Sequence, residues 1–595
     1  MLKSIEGIKA SQGTAWLHKH VKKEWKLLIL IGIFMIGNAL LVPLSPLILR
    51  EILDHGLSGE SQYPLSLLIV AYVTMPLLMG FISLGTKYTT DLFSERTSNR
   101  LRLDLYWDVQ NKAITFFAKN KSGLLQQRIF QEPGMLNAAI SNVFTQFFSS
   151  VFIMGSLVTT MFLLNPKLTG IALIVGVLTL LPGPVSSRWT IPLNVKAMDV
   201  RAEASSKILE TLNSGGNILV KSFGTENSEY NKVKTLFNQI THFNLLNTVW
   251  MESVGIASNF LFVLGPATVL VVSAYYMSNQ VTVGTIVAFI TFLTQLSTPL
   301  KSIAQVAAKI PWILTMTNRL LEYKNPNDLI VSEKDALAPD NIEGHLRFER
   351  VYFKDERTEI LQDVTFEIKP GETVALVGES GSGKTTIAYL FNRFCDPSEG
   401  RILLDGENLK KYDLQWIHRH VSFISQEPYL FHATIRENIA YGKSHATMEE
   451  IVQAAKKAQI HHVIMKMPKQ YDTVVGERGY KLSTGEKQRV ALARLFIRDS
   501  KIVILDEVTS ALDAISESAV KSALTAFLKN KTSIVIAHRL STITEADRIY
   551  VLRKGKIVEE GDFQTLLNEG GFFNRLYQEQ VQSSLKTGAK AARIR

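Results

Sequence analysis

From Ser253 to Leu300 the chain runs 48 residues without one Asp, Glu, Lys or Arg. A helix on a soluble protein keeps a charged face toward water, so buried helices of a large soluble protein explain such a run poorly. It is also too long for a single crossing, because a hydrocarbon layer of about 30 Å takes roughly 20 helical residues. The polar quartet MSNQ at 277–280 predicts a division into two spans. Four more charge-free runs are each long enough to cross once: 27–49, 64–86, 133–166 (with a helix at about 140–164) and 168–187. The expectation is an all-α membrane half of six spans.

Lysine and arginine placement orients them. Residues 87–135 hold Lys87, Arg96, Arg100, Arg102, Lys112, Lys119, Lys121 and Arg128, and 188–248 hold seven more. The opposite loops carry little beyond Arg50 and Lys167. Both long basic segments and both termini are therefore expected on the cytoplasmic side. This distribution accounts for much of the net charge of +11 without nucleic acid. Loops of this length rarely lack a role. Spans two to five are expected to continue as helices beyond the bilayer, ending in tips near 114–130 and 214–230 that pass force to a cytoplasmic domain. Residues 14–26, with Trp16 and Trp25 among lysines, suit a helix lying in the headgroup layer. No cleaved signal peptide is expected ahead of them. The single cysteine, Cys395, excludes an intrachain disulfide and a multi-cysteine zinc site.

Composition changes after the sixth span. The sequence predicts an N-terminal segment 1–26, a transmembrane domain 27–321, a polar linker 322–345, an α/β domain 346–582 and a basic tail 583–595. Within the α/β part, TVALVG (373–378) is a buried-strand pattern, followed by GESGSGKT (378–385) and a helix pattern. That order is what a phosphate loop requires. Gly378, Glu379, Ser380, Gly381, Ser382 and Gly383 offer backbone N–H groups to phosphate oxygens. Lys384 adds a point charge, Thr385 a hydroxyl for Mg²⁺, and Thr386 follows in the helix. KIVILDE (501–507) reads as a core strand ending in two carboxylates, Asp506 for the Mg²⁺ shell and Glu507 for an attacking water.

These residues resemble the ATP-binding cassette transporters, specifically exporters with fused domains. LSTGEKQRVALAR (482–494) is similar to the family signature, ISQEP (424–428) to its Q-loop, SALD (510–513) to its D-loop, IAHRLST (536–542) to its switch-histidine region, and GERGYKLS (476–483) to a motif typical of exporters. The resemblance implies a six-helix exporter-type membrane domain joined to a P-loop ATPase domain, and two cassettes head to tail with two ATP molecules between them. It implies that Glu507 orients or deprotonates water, that His538 contacts the γ-phosphate, and that Gln426 lies near Mg²⁺ with Thr385 and Asp506. Leu482, Ser483, Thr484, Gly485 and Glu486 would face the partner's ATP, and Asp513 would link the two sites.

Three positions depart from the family pattern. Thr484 stands for a glycine and Glu486 for a glutamine in the signature. The adenine-stacking tyrosine expected two residues after VYF (351–353) is Asp355, leaving Tyr352, Phe353 and Ile360 as the base contacts, with strand alternation aiming at most one of the two aromatics. One cassette per chain requires a dimer, and intact Glu507 and Ser483 favour a homodimer. The implied protein is a multi-pass protein of a bacterial inner membrane that moves an amphipathic lipid, drug or peptide outward. The spans offer polar groups such as Asn38, Gln146, Asn259 and Gln295. The phenylalanines at 144, 147, 148, 152, 260, 262, 289 and 292 line an apolar cavity on one reading, and face lipid or neighbouring helices on the other. An ATP-gated channel or regulatory cassette protein, one half of a heterodimeric exporter, and a membrane-anchored scaffold are the competing readings.

Overall fold

A computed structural model describes residues 16, 18–120, 122–180, 182–276, 281–324, 329–355, 358–506, 514–537 and 543–579. The chain divides into two compact units. One comprises Met1–Asn111 and Phe117–Asn327, the other Lys112–Phe116 and Asp328–Arg595.

The first unit is helical: α1 Trp25–Leu41, α2 Leu44–Glu51, α3 Leu65–Gln110, α4 Glu132–Leu164, α5 Pro166–Leu180, α6 Pro182–Leu212, α7 Ser214–Ser222, α8 Glu226–Tyr276 and α9 Val283–Leu321. Among the described residues five helical stretches are long and apolar enough to cross a membrane, and Pro166–Leu178 is a shorter apolar helix. The run 168–187 is carried by α5 and α6 together, with Leu181 between them outside the described residues. At 46 and 51 residues, α3 and α8 rise about 70 Å or more, over twice the hydrocarbon thickness. Residues 277–280 lie outside the described residues. Thr282 caps α9 by accepting the Thr285 N–H at 3.2 Å. Asp54 completes that cap, accepting the Gly284 N–H at 2.8 Å and the Thr282 hydroxyl at 2.6 Å. A carboxylate there is favoured by the helix dipole.

Apolar positions of α4, α5, α8 and α9 meet in a core that includes Leu157, Leu168, Val269 and Leu296. Phe289 and Phe292, two of the aromatics considered for a cavity, are fully buried in that core, edge to face at 6.2 Å. They pack helix on helix and line no open space. Trp16 also departs from expectation, since it is buried rather than offered to a membrane surface. Its indole N–H donates to Asp104 on α3 at 2.9 Å, and Lys324 donates to the same carboxylate at 2.7 Å. Glu24 pairs with Arg100 at 2.6 Å. The exposed aromatic of this segment is Trp25.

Among the described residues the second unit has two sheets. One is antiparallel, in the order β2-β1-β4-β5, with β1 Leu346–Asp355, β2 Thr358–Ile368, β4 Glu399–Leu404 and β5 Glu407–Asn408. The other runs β10-β9-β3-β8-β7-β6, with β3 Thr373–Gly378, β6 Val421–Ile424, β7 Ile502–Asp506, β8 Thr532–Ile536, β9 Arg548–Arg553 and β10 Lys556–Gly561. Strands β9, β3, β8, β7 and β6 are parallel neighbours. Every residue of β7 and β8 is buried, which explains the apolar runs 502–505 and 534–536, because such strands are covered on both faces. Lys112–Phe116 belongs to this unit: Ala113 sits in its core, and the Ile114 N–H donates to the Phe394 carbonyl at 2.9 Å.

Candidate nucleotide-binding and hydrolysis site

Parallel strands place their loops at one edge, and a ligand site is expected outside their carboxyl ends. Strand β3 ends at Gly378 and β7 at Asp506, with β8 between them. From Gly378 the chain turns through Gly381 and Gly383, both left-handed (φ +78° and +105°), into helix α10, Lys384–Phe391. Two of these glycines are forced by space. A Cβ on Gly378 would lie 2.2 Å from the Leu552 carbonyl oxygen, and one on Gly383 would lie 2.5 Å from Leu361.

Lys384 is buried, and its ammonium donates to the carbonyls of Gly378 and Glu379, both at 2.9 Å. It is thus held at the loop by two of the loop's own carbonyls. Glu379, Ser380 and Gly381 are exposed at the loop crest, with Thr385 and Thr386 half-buried in the first turn of α10. Thr385 Oγ1 donates to Asp506 Oδ2 at 3.1 Å. This joins a hydroxyl and a buried carboxylate that lie 121 residues apart in sequence. The Ser382 hydroxyl is buried and makes no hydrogen bond among the described residues.

The sequence reading missed a brace beneath the loop. The Gly555 N–H donates to the Ser382 carbonyl at 3.2 Å, and the Gly555 carbonyl accepts from the Gln362 N–H at 2.9 Å. Gly555 turns β9 into β10 at φ +77°, and a Cβ there would lie 2.4 Å from the Ile360 carbonyl. The Lys-Gly turn was visible in sequence, but its neighbour was not.

Gln426 is exposed just after β6. Leu482 is buried, while Ser483 and Thr484 are exposed and Gly485 and Glu486 half-buried. Ser483 is the N-cap of α11, Thr484–Phe496. Glu486 does not stand out toward solvent as an added charge. It turns back to accept the Ser483 N–H at 2.8 Å and the Ser483 hydroxyl at 2.9 Å. The base contacts need one correction: Phe353 is buried in the sheet core beside Val351 and Leu361, so its ring cannot stack on a base. Tyr352 and Ile360 are half-buried. Glu507, Asp513 and His538 lie outside the described residues.

Comparison with known proteins matches this arrangement. The family model "ABC transporter transmembrane region" covers residues 28–300, and "ABC transporter" covers 361–510. The chain is 32% identical to an ATP-dependent lipid A-core flippase of Syntrophus aciditrophicus, over 94% of this chain and 92% of that protein. The chain belongs to the ABC transporter family. It is also 31% identical to the human ABC-type oligopeptide transporter ABCB9, over 95% of this chain and 74% of that protein. A bacterial Atm1-family ABC exporter solved with ATP bound superposes with a TM-score of 0.83 at 28% identity, covering 95% of this chain and 99% of that one. As an ABC exporter with fused membrane and ATPase domains, the chain is an integral membrane protein that couples ATP hydrolysis to transport. Half-transporters of this kind work as dimers.

Proposed function

We propose that two copies of this chain form a homodimeric exporter. It binds Mg·ATP at two composite sites and moves an amphipathic substrate from the cytoplasm or inner leaflet of a bacterial inner membrane outward. The carrying observation is the contact of Thr385 with Asp506 beside buried Lys384. A hydroxyl and a carboxylate on adjoining elements suit the oxygen preference of Mg²⁺, with Gln426 as the further ligand. Held by these residues, Mg²⁺ would supply positive charge to offset that of the phosphate oxygens.

In this reading Lys384 leaves the carbonyls of Gly378 and Glu379 for the outer phosphates, and the amides of residues 378–383 surround them. Ser483, Thr484 and Gly485 present the N-terminus of α11 to the γ-phosphate held by the partner copy, where the helix dipole favours an anion. Glu507 polarises the attacking water, His538 steadies the γ-phosphate, and Asp513 joins the two sites. Ile360 and Tyr352 are left as the base contacts. The homodimer reading is supported by one sequence carrying both a complete phosphate loop and a signature serine. The amphipathic cargo is supported by relatives named for lipid A-core and for oligopeptides.

The test is ATP-driven uptake into inverted vesicles containing this chain alone. Uptake supported by the parent and lost in Lys384→Ala is expected. Uptake that requires a second, different subunit would refute the homodimer.

A further inference from the structure

Helix α10 carries a phenol one turn beyond the hydroxyl that meets Asp506. Thr385 and Tyr389 stand four residues apart and so share a face of that helix. Thr385 gives its hydroxyl proton to Asp506 Oδ2 at 3.1 Å. Tyr389 is half-buried. Burial first, and then the negative charge of Asp506, push its phenol above the ordinary 10, so the hydroxyl lies within the field of that carboxylate.

The ring is held by two others. It meets Phe423 of β6 edge to face at 5.9 Å and Phe394 at 6.1 Å, and those two rings meet each other edge to face at 5.8 Å. Such contacts favour particular tilts of the ring as well as its burial. Phe423 pairs in register with Ile504 of β7, two residues before Asp506, and Gln426 follows Phe423 by three residues. Tyr389 therefore stands where the elements that carry Thr385, Asp506 and Gln426 converge. Phe394 and Phe423 show that a plain ring suits this packing. The hydroxyl at 389 is not needed for it, and it puts a hydrogen-bond donor beside a carboxylate.

We propose that Tyr389 is a positioning residue for the hydrolysis site. Its ring, set by Phe423 and Phe394, brings its hydroxyl to Asp506 and holds that carboxylate in the orientation a metal ion requires. This rests on the reading of Thr385, Asp506 and Gln426 as the Mg²⁺ ligands and adds the group behind them. Partners of a metal-ligating carboxylate orient it, and losing one weakens metal binding about tenfold or more. Because Tyr389 acts through Asp506, its loss should be felt only where metal is present.

The experiment measures AMP-PNP binding to the full-length protein in detergent by isothermal titration, once in EDTA and once in Mg²⁺. The ratio of the two affinities is the metal's share, and no hydrolysis enters it. Tyr389→Phe is expected to bind AMP-PNP as the parent does in EDTA and to lose about tenfold of the gain on adding Mg²⁺. Tyr389→Leu should lose the same share and also melt lower, because the ring contacts go with the hydroxyl. A parental Mg²⁺ gain in Tyr389→Phe overturns the proposal. So does a loss of equal size in EDTA and in Mg²⁺, which would mean general damage to the phosphate loop. Asp506→Asn separates this proposal from the reading beneath it. If that variant loses the gain and Tyr389→Phe does not, the positioning role alone fails. If Asp506→Asn keeps the parental gain, the metal assignment fails and the role of Tyr389 with it.

Discussion

Ser483 and Glu486 close a reciprocal box at the start of α11. The serine hydroxyl accepts the Glu486 N–H at 3.3 Å, and the Glu486 carboxylate accepts the serine's own N–H at 2.8 Å. The same carboxylate takes the hydroxyl proton at 2.9 Å. In the proposed dimer that proton is the one the partner's γ-phosphate would need, and the carboxylate would place a negative charge beside it. Glu486→Gln keeps the box and removes the charge. The expected result is a KM for ATP lowered about threefold to tenfold, on the scale of one charge at a helix end, with thermal stability nearly unchanged. Glu486→Ala opens the box and should cost about 1 kcal/mol. ATPase titrations and melting curves of both variants check this, and a higher KM in the glutamine variant would count against it.

Gly383 sits at φ +105° with Leu361 in the way of any side chain. Gly383→Ala must strain the backbone and move Leu361, costing about 1–3 kcal/mol. Because the strain falls inside the phosphate loop, the loss in nucleotide affinity should exceed that of an equally destabilising change remote from it, such as Leu404→Ala. Isothermal titration with a non-hydrolysable ATP analogue makes the comparison.

With Phe353 committed to the core, the base finds no aromatic ring at Asp355. Asp355→Tyr should tighten ATP binding by about 1–3 kcal/mol, the range for a base on an aromatic face, and should sharpen preference for ATP over pyrimidine nucleotides. Competition assays with CTP and ATP read both effects.

The Asp104–Lys324 pair sets a pH window. Burial pushes the Asp104 carboxyl up, but hydrogen bonds from Lys324 and Trp16 outweigh it and hold the group below its usual 3.8. Burial likewise lowers Lys324, while Asp104 and Asp108 raise it above 10.5. A depressed carboxyl stabilises above its unfolded value and loses that contribution as pH falls through the folded one. A raised lysine stabilises below its unfolded value and loses its share as pH rises through the folded one. The melting deficit of Asp104→Asn should therefore be flat from about pH 5 to 9 and shrink outside that range. Solvent reaches the pair, so the deficit should stay near or below about 1 kcal/mol. A deficit that grows on acidification would contradict this.

Much of this was legible in one dimension because the controlling signals are local. Charge-free runs mark the helices that cross, and GESGSGKT between a strand and a helix marks the loop that holds Lys384. Even the Ser483–Glu486 box was written as a serine followed three residues later by a glutamate, a spacing that could have been read as a helix cap. What escaped is long-range. Phe353 turns inward by the pairing of β1 with β2, whose register shifts twice near it. Trp16 is buried among Leu101, Leu105 and Leu320, its indole N–H paired with an aspartate 88 residues away. Lys301 was taken as the edge of an apolar run, and only the fold shows that α9 continues past it with Asn259 alongside.

The central claim is that ATP bound at the phosphate loop drives transport through hydrolysis polarised by Glu507. It is tested most directly by parallel measurement of ATP binding, ATPase rate and vesicle uptake for the parent and Glu507→Gln. The account predicts retained ATP binding with the ATPase rate reduced at least a hundredfold and uptake abolished. Uptake and hydrolysis at the parental rate in the glutamine variant would contradict it.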